Sequence, residues 1–99
     1  MFAGTYSKKI DGSGSLYVPA VFRRSLKDVV YLCKTDNGLK LITADKLCDL
    51  YTGGKLSQSD FAEYQPVLIN KDGRITLSAY KNKACELRGH YDEILLKFD

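Results

Sequence analysis

The chain has 99 residues, 44% of them apolar and 27% charged, with a formal net charge of +3 at pH 7. Such a composition excludes a disordered chain and fits one globular domain with a small core. No apolar run approaches the roughly 18 residues of a bilayer span, and Met1-Phe2-Ala3-Gly4 lacks the basic and apolar regions of a secretory leader. The expectation is therefore no membrane partner and a cytoplasmic location.

From Thr5 to Ile10 the residues alternate toward a turn cluster, Asp11-Gly12-Ser13-Gly14, and Leu16-Tyr17-Val18 resumes extended structure, so a hairpin is expected. Pro19 suits the first turn of a helix, where its missing N–H is no loss. Ala20 to Leu26 then reads as two turns with Val21, Phe22 and Leu26 inward and Arg23 and Arg24 on the flank. Val29 to Lys34 and Leu39 to Thr43 are β-rich runs joined through Asn37-Gly38, a strong hairpin signal. Ala44 to Tyr51 places Leu47, Leu50 and Tyr51 on one stripe of a short helix, capped by Thr43 and ended at Gly53-Gly54.

Residues 53 to 63 read as a polar connector between a first half, 1 to 52, and a second half, 64 to 99. The second half runs from an extended Gln65 to Asn70 through a Lys71-Asp72-Gly73 turn to Arg74 to Leu77. A helix from Ala79 to Leu87 and a strand from Tyr91 to Phe98 complete it, leaving the copy without its last strand. An unpaired edge after Phe98 would call for a second chain, so a homo-oligomer is expected.

The halves repeat one another. Lys9 to Ala20 overlays Leu68 to Ala79 at an offset of 59, pairing Ile10 with Ile69, Asp11 with Asn70, Gly14 with Gly73, Leu16 with Ile75 and Val18 with Leu77. Two such short units cannot each bury a face alone, which predicts one pseudo-two-fold domain, mainly β with short helices.

Charge follows the repeat. Lys8, Lys9, Arg23 and Arg24 surround the first copy, and Lys71, Arg74, Lys81, Lys83 and Arg88 surround the second, as a positive face or as a solvated mixed-charge surface. The three cysteines, Cys33, Cys48 and Cys85, are widely spaced, and His90 is the only histidine. No metal, cofactor or small-molecule substrate is expected, and the cysteines read as small core residues. His90, after Gly89, reads as a loop residue, and Tyr17, Tyr31 and Tyr91 as packed strand residues.

The opening Met-Phe-x-Gly, then Asp11-x-x-Gly14-x-Leu16-x-Val18-Pro19-Ala20-x-Phe22-Arg23, and the later Asp72-Gly73-Arg74-Ile75 resemble the MraZ family within the AbrB-like, swapped-hairpin superfamily. The resemblance implies a swapped-hairpin β-barrel and a cytoplasmic, nucleoid-associated regulator that binds promoter DNA as a dimer or ring. It also implies an Asp-x-x-x-Arg element in each half that sets an arginine at double-stranded DNA. Carried over by position, the first element ends on Ser15 rather than arginine, and the second is Asn70-Lys71-Asp72-Gly73-Arg74, with asparagine replacing the acid.

Arg74 is the expected base reader, because its planar fork matches the guanine edge, or else a surface arginine paired with Asp72 or Asn70. Lys71, Arg23, Arg24, Lys8 and Lys9 are the expected phosphate contacts. A protein-interaction or assembly module with weakened DNA binding is the alternative, since Ser15 removes one arginine. An enzyme is not expected: there is no Gly-x-Ser-x-Gly elbow and one isolated histidine.

Overall fold

The computed structural model describes all 99 residues, Met1 to Asp99. In chain order the elements are β1 (Thr5–Lys9), β2 (Ser15–Tyr17), α1 (Ala20–Arg23), β3 (Val29–Thr35), β4 (Gly38–Thr43), α2 (Ala44–Thr52) and α3 (Gln58–Ala62), then β5 (Gln65–Leu68), β6 (Arg74–Thr76), β7 (Ala84–His90) and β8 (Glu93–Phe98). Six strands form one antiparallel sheet in the order β1-β7-β8-β4-β3-β5, and β2 pairs with β6 in a separate two-stranded ladder.

Period-two alternation explains what each strand buries. Val30 and Leu32, Leu39 and Leu41, Cys85 and Leu87, and Ile94 and Leu96 all point to one face of the sheet. Leu16 and Ile75, directly opposite each other in the small ladder, turn inward onto the same face. These residues join Phe2, Ile10, Val18, Phe22 and Leu77 in one core of 15 buried side chains drawn from both halves. A second, three-residue cluster of Ile42, Leu47 and Tyr64 holds α2 and the approach to β5 against the other face of β3 and β4.

The halves are interleaved rather than stacked. The turn at Asp11 to Gly14 reverses the chain, yet β1 and β2 form no ladder: β1 pairs with β7, setting Tyr6 opposite Leu87, while β5 pairs with β3, setting Val67 opposite Val30. The expected local hairpins around Gly14 and Gly73 are thus open, and each contributes one strand to the sheet and one to the β2–β6 ladder. Exchanging the halves leaves the strand order unchanged, since β1, β3 and β4 stand where β5, β7 and β8 stand from the other end.

Several expectations are corrected. The sheet is open, with β1 and β5 as its two edges, and no barrel closes. The helix expected from Ala79 to Leu87 is a single 3-10 turn, Ser78–Tyr80, and after Lys81 to Lys83 the chain enters β7. Asn82 adopts φ +63°, which stops any helix there, and asparagine is among the few residues that tolerate that conformation. Beyond this point the halves match at an offset of 55, with Leu32 over Leu87 and Leu41 over Leu96, because the link from β6 to β7 is four residues shorter than that from β2 to β3.

No strand is missing. β7 and β8 form the second half's hairpin, and β8 lies inside the sheet between β7 and β4, so the unpaired edge expected after Phe98 does not exist. α1 is one turn long, and Val21, expected inward, is 42% exposed, while Phe22 is fully packed. α2 is capped as expected, the Thr43 hydroxyl accepting from the Lys46 N–H at 3.1 Å. The connector also carries a helix, α3, whose N-terminus is capped by the Ser57 hydroxyl accepting from the Asp60 N–H.

Candidate nucleic-acid interface

Two matched turns frame the β2–β6 ladder. In the first, Asp11 Oδ1 accepts from the Ser13 N–H at 2.9 Å, the Ser13 hydroxyl at 2.7 Å and the Ser15 N–H at 2.9 Å. In the second, Asn70 Oδ1 accepts from the N–H groups of Asp72 and Arg74, both at 2.9 Å. A side-chain oxygen replacing a backbone acceptor is what makes Asp and Asn the natural residues at this position. Gly14 at φ +87° and Gly73 at φ +77° close the turns, and their carbonyls accept crosswise from the Leu77 and Val18 N–H groups at 2.7 and 2.9 Å. A Cβ at Gly73 would lie 2.6 Å from Arg23 Cζ, so glycine also makes room for that arginine.

With Leu16 and Ile75 turned inward, the outer face of the ladder carries Ser15, Tyr17, Arg74 and Thr76. Arg74 sits directly across from Tyr17, its Cζ 5.9 Å from the ring centroid, and its Nη1 donates to the Ser15 hydroxyl at 3.2 Å. Arg23 Cζ stands 5.1 Å from the same ring, with Nη2 donating to the Tyr17 hydroxyl at 2.6 Å and Nε to the Val18 carbonyl at 3.0 Å. Lys8 Nζ is 5.3 Å from the ring centroid. Three of the six expected contact residues thus converge on one aromatic ring, a favourable placement for each cation and a mutually repulsive one for the set.

Nothing acidic bridges them. The ion pairs of the molecule are Lys27 with Asp45, Lys40 with Glu93, Lys46 with Asp92, Arg88 with Glu86 and His90 with Glu93, and none involves Lys8, Lys9, Arg23, Arg24, Lys71 or Arg74. The Arg74 guanidinium pairs with neither Asp72 nor Asn70; Asn70 Oδ1 accepts from the Arg74 backbone N–H instead. Arg23 and Lys71 line a common shallow cleft of about 250 Å³ beside the second turn, together with Lys27 and Asp28. Lys9 and Arg24 stand apart: Lys9 alternates to the opposite side of edge strand β1 from Lys8, and Arg24 is exposed at the end of α1.

Tyr17 is the residue that the sequence reading left out of the site. The signal was present in the alternation, since Leu16 and Val18 are both fully buried and the residue between them must face outward. Tyr91, also expected to pack, is 65% exposed in the β7–β8 turn, and His90 ends β7 instead of lying in a loop. Of the cysteines only Cys85 is buried, and its surroundings push the thiol up to about 12; Cys33 is half-buried and Cys48 exposed. No cluster of three metal-ligating side chains occurs, and no polar side chain is buried.

The first turn carries a pH dependence. Hydrogen bonds from the Ser13 hydroxyl and then the Ser15 N–H, aided by the nearby Arg74 charge, hold the Asp11 carboxyl below its ordinary 3.8. A carboxyl depressed on folding stabilises the folded state above that ordinary value, and the contribution disappears as the pH falls through the depressed one. Asp11→Asn, which keeps the acceptor as Asn70 does, is expected to flatten the acid limb of stability. Thermal melts of the two proteins between about pH 2 and pH 5 check this; parallel curves would rule it out.

Compared with known proteins, the chain matches no family model and no curated protein. No helix is long and apolar enough to cross a membrane.

Proposed function

We propose that the chain is a DNA-binding transcriptional regulator rather than an enzyme, its interleaved halves forming one duplicated swapped-hairpin unit of the MraZ and AbrB-like kind. The observation that carries the reading is the cationic face of the β2–β6 ladder, where Arg74, Arg23 and Lys8 gather and none forms an ion pair with a carboxylate. Such a grouping is costly unless an anion completes it, and a duplex backbone is the anion with repeated charge at matching scale. Arg74, on a strand and steadied by Tyr17 and Ser15, is the base reader; Lys71, exposed at the tip of the second turn, and Lys8 contact phosphate.

Support for the swapped-hairpin unit is the strand order that survives exchange of the halves and the crosswise bonds between the Gly14 and Gly73 turns. Such a regulator works in the cytoplasm, at the nucleoid. Assembly into a dimer or ring belongs to the same proposal, resting on the resemblance and on the open edges of β1 and β5.

Enrichment from a random duplex pool, followed by fluorescence anisotropy on the winner, tests the proposal. The expected result is a recurrent motif, with Lys71→Ala weakening selected and random duplexes alike and lowering the salt slope by roughly one. No enrichment and no retardation would refute it. Ser15, standing where the resemblance expects arginine, favours the second reading: an assembly or protein-interaction module, diagnosed by oligomers in light scattering without duplex binding.

A further inference from the structure

The β2–β6 ladder has a local two-fold through the Leu16–Ile75 pair, so each position on its outer face has a counterpart on the other side. Arg74 maps onto Ser15, Tyr17 onto Thr76, and on the flanking strands Lys8 maps onto Val67, as the corresponding antiparallel pairings of Lys8 with Cys85 and Val67 with Val30 require. The place that Arg23 fills against Gly73 is filled at Gly14 by the Ser78 backbone, 3.0 Å from where a Cβ would stand. Backbone symmetry is therefore kept while every member of the cation cluster is replaced by a neutral group on the opposite side.

We propose that the anion site is one-sided: Tyr17 gathers Lys8, Arg23 and Arg74 into a single lobe that grips one stretch of duplex, and the opposite lobe at Thr76 and Val67 makes no charged contact. The inference rests on the DNA-binding reading and deepens it by stating which half of the fold binds and what kind of site it takes. A two-fold face with matched arginines fits a palindrome; a face charged on one side fits an asymmetric sequence in one orientation per chain. Tyr17 is a positioning residue here. Its ring collects the three cations and its hydroxyl holds Arg23, so that the Arg74 fork is presented in one orientation before the duplex arrives.

The test is an amide NMR titration of the whole chain with the duplex enriched from the random pool, repeated with Tyr17→Ala. Shifts concentrated at Lys8, Tyr17, Arg23, Gly73 and Arg74, a non-palindromic motif and an affinity about tenfold lower for Tyr17→Ala would bear the proposal out. Equal shifts at Thr76 and Val67, a palindromic motif for one chain, or full affinity in a folded Tyr17→Ala would overturn the one-sided site and leave DNA binding standing. Absence of shifts anywhere overturns both. Should Tyr17→Ala not fold, the wild-type shift map and the motif decide by themselves.

Discussion

Leu87→Ala is expected to lower stability by about 2–5 kcal/mol, the range for truncating a packed leucine in a core that cannot collapse around the gap. Leu87 is fully buried at the centre of β7, flanked by Tyr6 of β1 on one side and Leu96 of β8 on the other, so its cavity opens between strands held in ladders on both edges. A 99-residue domain has roughly 5–15 kcal/mol in total, and the loss is a large share of it. Val21→Ala is the control: two turns of helix from Ala20 to Leu26 would make Val21 a core residue, but in the one-turn α1 it is largely exposed, and its truncation is expected to stay within about 0.5 kcal/mol. Urea unfolding at a common m-value reads both, and a Leu87→Ala loss no greater than that of Val21→Ala would contradict the strand assignment of β7.

Arg74→Ala is expected to cost about 1–3 kcal/mol on the preferred duplex and far less on random DNA, the mark of a lost base contact. The magnitude follows from presentation. Arg74 stands on a strand whose turn is locked by Asn70, its guanidinium already rests between Tyr17 and the Ser15 hydroxyl, and no acid must be displaced to free it. Equal losses on both duplexes in anisotropy titrations would demote Arg74 to a phosphate contact; no loss on either would remove it from the interface.

Local chemistry made the first half legible. Gly14 after Asp11, the alternation around Leu16, Pro19 ahead of α1, Asn37-Gly38 between β3 and β4 and the Thr43 cap are all short-range signals, and each element stands within a few residues of where they point. The 59-residue offset found the second turn for the same reason.

The errors lie where distant pairing overrides local preference. Ala84 to Arg88 is built mostly of good helix formers, but Cys85 and Leu87 can both reach the core only in an extended chain clamped between β1 and β8. The β7–β8 turn was hidden because Tyr91, at φ +60°, holds a position usually marked by glycine or asparagine. No local pattern could tell that β1 leaves its neighbour β2 to pair with a strand some 80 residues away.

The site was legible in its charges and not in its centre. Arg74, Arg23 and Lys8 meet in the fold, whereas Lys9 and Arg24 were grouped with them only by nearness in sequence. Tyr17 reads as packing material from its hydrophobicity, and only the ladder register, which sets it across from Arg74, makes it the platform on which the cations converge.

The most direct test of a duplex-binding cationic face is the salt dependence of wild-type affinity for the enriched duplex, measured by anisotropy between about 50 and 200 mM salt. Phosphate contacts from Lys71 and Lys8 predict that log affinity falls linearly with log salt, with a slope of roughly −0.9 for each phosphate neutralised and so on the order of −2 in all. An affinity that does not change over that range, or no measurable binding at its lower end, would contradict the account.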